Sequence, residues 1–257
     1  MSVLPLEQEI EYPTSDGQPM AETPLHRKVM NDLIGGLEDR YAQEPDVWAG
    51  GNLFLCYEEG NPAACVAPDV LLAKGVPKWD RPNYLLWEEV PPSLVVEITS
   101  KKTRRDDQGK KKSLYERLGV EELVLFDPYG EYLRPRLQGY RLVKGHYQPV
   151  PLEQDGAFLS QTTGLLFHPE GKRLRLVDAV TGERYLWREE SEAARKAEAA
   201  ARRAAQRRAA KEAAARQAAE ARAAEAEVKA AEEAAARQAA EEQVRALKAE
   251  LDRLRKG

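Results

Sequence analysis

Two carboxylates sit where carboxylates are costly. Asp69 lies in VAPDVLL and Glu97 in SLVVEITS, each flanked by apolar residues. An ionised carboxylate buried without a partner costs several kcal/mol, so something positive is due beside them. A divalent cation with hard oxygen ligands meets that need, and so does a salt bridge to Lys or Arg. If the two runs are neighbouring strands, both acids meet at one end of a sheet. Side chains alternate along a strand, so residues 97, 99 and 101 share a face and Lys101 is one candidate for the positive group. Lys111 is the other, on a following helix where Lys111, Tyr115 and Leu118 share a face. The run Lys101 to Lys112, KKTRRDDQGKKK, holds seven basic residues against two acidic ones and suits either a solvated loop or a phosphate-binding surface.

The elements that would position these groups can be read from the first 188 residues. Thr23-Pro24 reads as an N-cap with proline at the first helical position, and Leu25, Val29, Leu33, Ile34 and Leu37 form a stripe, predicting a helix to about Tyr41. Strand-like runs follow at Val47 to Tyr57, Val66 to Ala73 and Ser93 to Thr99, the first two joined through Gly60, Asn61 and Pro62. A second helix is expected over Asp107 to Leu118 with Gly119 as its C-cap. ELVLF at 122–126 reads as a buried strand stopped by Asp127-Pro128. Beyond Tyr132, short strands recur between turns such as Gln138-Gly139 and Lys144-Gly145. This order implies a mixed α/β sheet.

Residues 189–257 form a second compositional regime. Alanine supplies 28 of the last 67 residues, no proline follows Pro169, and no glycine lies between Gly182 and Gly257. Such composition predicts a continuous helical arm, about 100 Å long at 1.5 Å per residue. A heptad-like seam appears only at the end, at Val244, Leu247, Leu251 and Leu254, a route to self-association.

Of the chain's 257 residues, 42% are hydrophobic and 32% charged, with net charge −4. The arm carries +2 and the remainder −6, so neither part is basic enough overall to mark a nucleic-acid binder by charge alone. No run of eighteen apolar residues is present, which excludes a transmembrane helix, and the N-terminus has no signal-peptide pattern. Cys56 and Cys65 suggest neither a disulfide framework nor a zinc site, so a reducing cytoplasm is the expected location.

The set Pro68-Asp69, Glu97 in VVEITS, then Asp107, Lys111, Tyr115 and GVEELVLFDP, with SDGQPMAET upstream, resembles the Uma family of restriction endonucleases within the PD-(D/E)XK nuclease superfamily. The likeness spans about residues 10–175. It implies a restriction-endonuclease-like core with flanking helices, and Mg²⁺-dependent hydrolysis of phosphodiesters (Mn²⁺ able to substitute), most simply of DNA. Asp69, Glu97 and the Ile98 carbonyl would be the metal ligands. The superfamily's E-x-K lysine position is Thr99 here, so the lysine falls to Lys111 or Lys101. Glu22 is a candidate outer acid, with Asp107 and Thr99 as auxiliary positions. Lys101, Lys102, Arg104, Arg105, Lys110 and Lys112 would contact nucleic acid, and a homodimer is the expected assembly. Tyr115 and His26 are read as a packing residue and a hydrogen-bonded helix residue. The rival reading is an inactive scaffold that binds nucleic acid or protein through the same core and the arm.

Overall fold

The computed structural model describes residues 12, 13 and 23–255, with side chains up to residue 249. Glu22 and the rest of residues 14–22 lie outside the described residues, as do the side chains of Leu251 and Leu254. Contacts divide the chain into Met1–Glu192 and Ala193–Gly257.

Helix α1 (Pro24–Arg40) begins as its sequence predicts, with the Thr23 hydroxyl accepting from the His26 N–H at 3.2 Å. Its stripe buries Val29, Leu33 and Leu37 completely. The strands β1 (Val47–Gly50), β2 (Phe54–Cys56), β3 (Cys65–Val66), β4 (Val70–Lys74), β5 (Asn83–Leu85) and β6 (Leu94–Ile98) follow. A helical segment is built from α2 (Arg104–Asp106), a π-helical turn (Asp107–Lys111) and α3 (Lys112–Leu118). Gly119, at φ 83°, ends it in the left-handed conformation that favours glycine. Then come β7 (Glu122–Phe126), β8 (Leu137–Val143), β9 (His146–Val150), β10 (Phe158–Leu159), β11 (Leu165–Glu170) and β12 (Arg173–Asp178).

The main sheet has the order β1-β4-β6-β7-β8-β9, and only β6 and β7 run parallel. Its central strands are covered on both faces, so alternate residues enter two cores. Val70, Leu72, Leu94, Val96 and Ile98 pack toward α1 and the β10-β11-β12 sheet. Leu71, Ala73, Val95, Leu123 and Leu125 pack with Tyr115 of α3 and with Leu55 and Tyr84 of the small β3-β2-β5 sheet. The fold is therefore a mixed α/β core with flanking helices.

Several expectations need correction. The run Val47 to Tyr57 is two strands in two sheets, broken at Gly51-Asn52, where Asn52 has φ 53°. The second helical segment starts three residues before Asp107, because its first turn is polar and shows no apolar period. Gln138-Gly139 is the middle of β8 and not a turn. A Cβ at Gly139 would lie 2.1 Å from the Phe158 ring, so this glycine serves a close approach. Lys144-Gly145 does form the β8–β9 turn, both residues having positive φ. The cysteines are also not independent: β2 and β3 pair Cys56 opposite Cys65, and the two sulfurs are bonded at 2.08 Å.

Helix α4 (Arg188–Arg255, 68 residues) carries the alanine-rich sequence without a break. Its first turn belongs to the globular unit. Arg173 and Arg175 lie over the Trp187 ring at 3.7 and 3.5 Å and pair with Glu189 and Glu190. Beyond it, the described side chains are exposed, Val244 and Leu247 among them. No described helix is long and apolar enough to cross a membrane.

Candidate active site

The β4–β6 ladder pairs Val70 with Val96, and Asp69, the residue just before β4, meets the Ile98 N–H next to Glu97. Because Val96 and Ile98 enter the α1-side core, alternation turns Glu97 to the opposite face, where α3 lies. There Lys111 Nζ donates to Glu97 Oε2 at 2.9 Å and Tyr115 Oη donates to Oε1 at 2.6 Å. Lys111 also reaches the Ala67 carbonyl at 3.3 Å and stands 3.8 Å from Asp107 Oδ1. The spacing of residues 111 and 115 puts both on one face of the helix, and the acid on the strand receives both.

Asp69 is held from the other side. Its Oδ2 accepts from the Ile98 backbone N–H at 2.6 Å and lies 3.1 Å from His26 Nε2 on α1. A strand residue's N–H and C=O point the same way, so the Ile98 carbonyl also faces the Asp69 side. Gly51 permits this: a Cβ there would lie 2.0 Å from the Asp69 carbonyl oxygen. Neither His26 nor Tyr115 stands out in the sequence as part of a site. Their contribution depends on how two helices dock on the sheet, and local pattern does not carry that.

Burial dominates the electrostatics. Glu97 is 1% exposed, and its pKa is pushed up to about 8, chiefly by burial, with Lys111 opposing and Asp69 and Asp107 adding to the rise. Asp107 is buried as deeply, and its pKa is raised by burial against the pull of Lys111 and the Thr103 hydroxyl. Neither Asp107 oxygen has a partner at normal hydrogen-bond geometry, so Thr103 favours its charge only from a distance. Desolvation alone would lower the Lys111 pKa, but the surrounding acids, Glu97 first, hold it above the ordinary lysine value. Glu97's rise and Lys111's describe one pair: the ammonium stays charged, and the proton is contested among the acids.

The other expected residues fall elsewhere. Strand β6 stops at Ile98, so the face shared by 97 and 99 does not extend to Lys101, which sits exposed in the following turn with Lys102. Thr99 is buried and its N–H donates to the Phe126 carbonyl at 2.7 Å. Arg105 and Lys110 are exposed, Arg104 lies 5.6 Å from the Tyr132 ring, and Lys112 packs 3.6 Å from the Tyr140 ring.

Among the described residues no cluster of three or more His, Cys, Asp or Glu side chains has the convergence to hold an ion. The donor chemistry nevertheless fits a hard cation. Two carboxyls, Glu97 and Asp107, face one ammonium, Asp107 is left without a hydrogen-bond partner, and every acid donor, Asp69 included, is oxygen. The position between the acids is held by Lys111.

The family described as "Putative restriction endonuclease" (Uma2) matches residues 2–174, more than half of the chain, and the protein belongs to it. A solved structure described as a "putative nuclease belonging to DUF820" from Anabaena variabilis is similar at 14% identity and a TM-score of 0.42. That match covers 56% of this chain and 76% of that one. No curated protein matches.

Proposed function

We propose that the protein is a Mg²⁺-dependent endonuclease that hydrolyses DNA phosphodiester bonds. The observation that carries this reading is the constellation of half-buried Asp69 and Lys111 around buried Glu97, set at the end of the central strands β4 and β6 in a chain of a nuclease family. Asp69, Glu97 and the Ile98 carbonyl would hold the ion, with Mn²⁺ able to replace Mg²⁺. Bound there, a divalent cation supplies Lewis acidity and a water of lowered pKa. The protein's own groups do the rest. The Ile98 N–H and His26 fix the Asp69 carboxylate, and Tyr115 fixes one oxygen of Glu97. Lys111, partly exposed and held charged, turns a positive group toward the charge that develops on the phosphoryl oxygens. Lys101, Lys102, Arg105 and Lys110 offer charge to the polyanion beside it. The proposal includes a cytoplasmic location and a dimer formed through the arm, whose Val244 and Leu247 are exposed.

One observation favours the scaffold reading: both Glu97 oxygens already accept hydrogen bonds from within the chain. A single experiment separates the two. Wild-type protein incubated with plasmid and single-stranded DNA should cut with Mg²⁺ or Mn²⁺ and not in EDTA. Asp69→Asn and Glu97→Gln should each lower the rate at least 100-fold while preserving the circular dichroism spectrum. Undiminished cleavage by folded Glu97→Gln would reject the assignment, and DNA binding without any cleavage would leave the scaffold.

A further inference from the structure

Strands β6 and β7 run parallel and in register, Ile98 opposite Phe126, so both leave the sheet at the strand end that holds Glu97. The segment after β7, residues 127–136, therefore lies beside the segment that leads into α2. The Arg104 guanidinium, 5.6 Å from the Tyr132 ring, joins them.

This loop is pinned from inside. Asp127 is fully buried, and its carboxylate accepts from the backbone N–H groups of Tyr129 at 3.0 Å, Leu133 at 3.1 Å and Tyr132. The Gly130 N–H donates to the Asp127 carbonyl at 3.1 Å. So constrained a loop has the means to bury its aromatics, yet Tyr129 is 45% exposed. Lys172 Nζ, itself exposed, lies over its ring, 4.6 Å from the centroid. An exposed ring with a cation over one face offers its other face to a base and charge to the adjoining phosphates. A duplex hides its base faces within the stack, and an unpaired strand presents them.

We propose that Tyr129, with Lys172 over one face of its ring and Tyr132 of the same loop against Arg104, is a stacking platform that seats an unpaired DNA strand at the edge of the candidate active site. Single-stranded DNA, or a single-stranded stretch within duplex, is then the preferred substrate class. The choice of DNA rests on the function proposed above; the platform itself rests on the loop.

The test measures binding without chemistry. Full-length protein in EDTA is titrated against a fluorescein-labelled oligothymidylate of about 20 nucleotides, the matching duplex and an oligouridylate, read by anisotropy. Tyr129→Ala should weaken oligothymidylate binding about 5- to 150-fold, the span carried by one base–aromatic stack. Tyr129→Phe should keep it, and duplex affinity should change less than about twofold. Lys172→Ala should reduce the salt slope on the single strand by about 0.7, the share of one phosphate. Equal effects of Tyr129→Ala on single strand and duplex would overturn the proposal, as would no detectable binding of the single strand. Tighter binding of oligouridylate with the same Tyr129 dependence would overturn the choice of DNA. Tyr129-dependent binding by a protein that cuts nothing sinks the endonuclease reading and leaves the platform standing; cleavage that ignores Tyr129 does the reverse.

Discussion

Replacing Lys111 by methionine keeps much of the side chain's volume and removes its charge. The structure sets the scale of the loss. Lys111 is the ammonium 2.9 Å from Glu97 and 3.8 Å from Asp107, and both acids are about 1% exposed. Breaking a buried pair from one side costs about 3–5 kcal/mol. For a unit of this size, about 2–4 °C of melting temperature accompanies each kcal/mol, so a fall of roughly 6–20 °C is expected. The pH dependence is the sharper signature. Glu97 already has a folded pKa raised from 4.5 to about 8, mainly by burial. A raised carboxyl pKa means that the folded state binds more protons between the two values. Its contribution is therefore fully present below about 4.5 and is lost as pH rises through the folded pKa. Without the ammonium the folded pKa climbs further, so the variant keeps losing stability above pH 8, by about 1.4 kcal/mol per unit, where the wild type levels off. Urea unfolding of both proteins from pH 5 to 9.5 reads this directly. A deficit that is small and constant across that range would refute the account of Lys111 as the counter-charge to the acids.

Other outcomes follow from the same geometry. Tyr115→Phe deletes a 2.6 Å hydrogen bond to buried Glu97 and should cost about 1.5–3 kcal/mol. Because that bond favours the carboxylate, its loss should also move the acidic limb of the cleavage profile to higher pH. Gly51→Ala forces a Cβ against the Asp69 carbonyl, and a loss of about 1–3 kcal/mol in urea titration together with impaired cleavage is expected. Sedimentation should give a dimer for the full chain and a monomer for a chain cut after Glu192; a dimer in both would move the self-association to the globular unit.

How much of this can be read from the sequence differs from element to element. Helix α1 and strand β7 were legible because each carries its own signal: a cap and a stripe for one, an uninterrupted apolar run with Asp-Pro behind it for the other. The pairing of the strands that follow Asp69 and carry Glu97 could be inferred because strand pairing leaves few options for two short apolar runs. Strand β5 could not, being three residues between turns. The Cys56–Cys65 bond escaped because nothing in a nine-residue spacing reveals that two short strands will pair in that register. Lys101 could be placed beside Glu97 only if strand β6 extended past Ile98, which it does not, while the Lys111 contact comes from the helix that follows. His26 and Tyr115 acquire their contacts from helix docking, which is set by the whole core and not by their neighbours in the chain.

The π-helical turn at Asp107–Lys111 places one extra residue in a single turn of an otherwise ordinary helix. Each residue of an α-helix advances the azimuth by about 100°, so this turn acts as a phase slip between the Arg104 end and the Lys111–Tyr115 face. The basic side chains that precede it and the pair that grips Glu97 are thereby aimed independently. Removing Gly109 would restore a regular winding and swing one set by roughly that angle relative to the other. The helix behaves less as a rod than as two short shafts keyed together at a fixed offset.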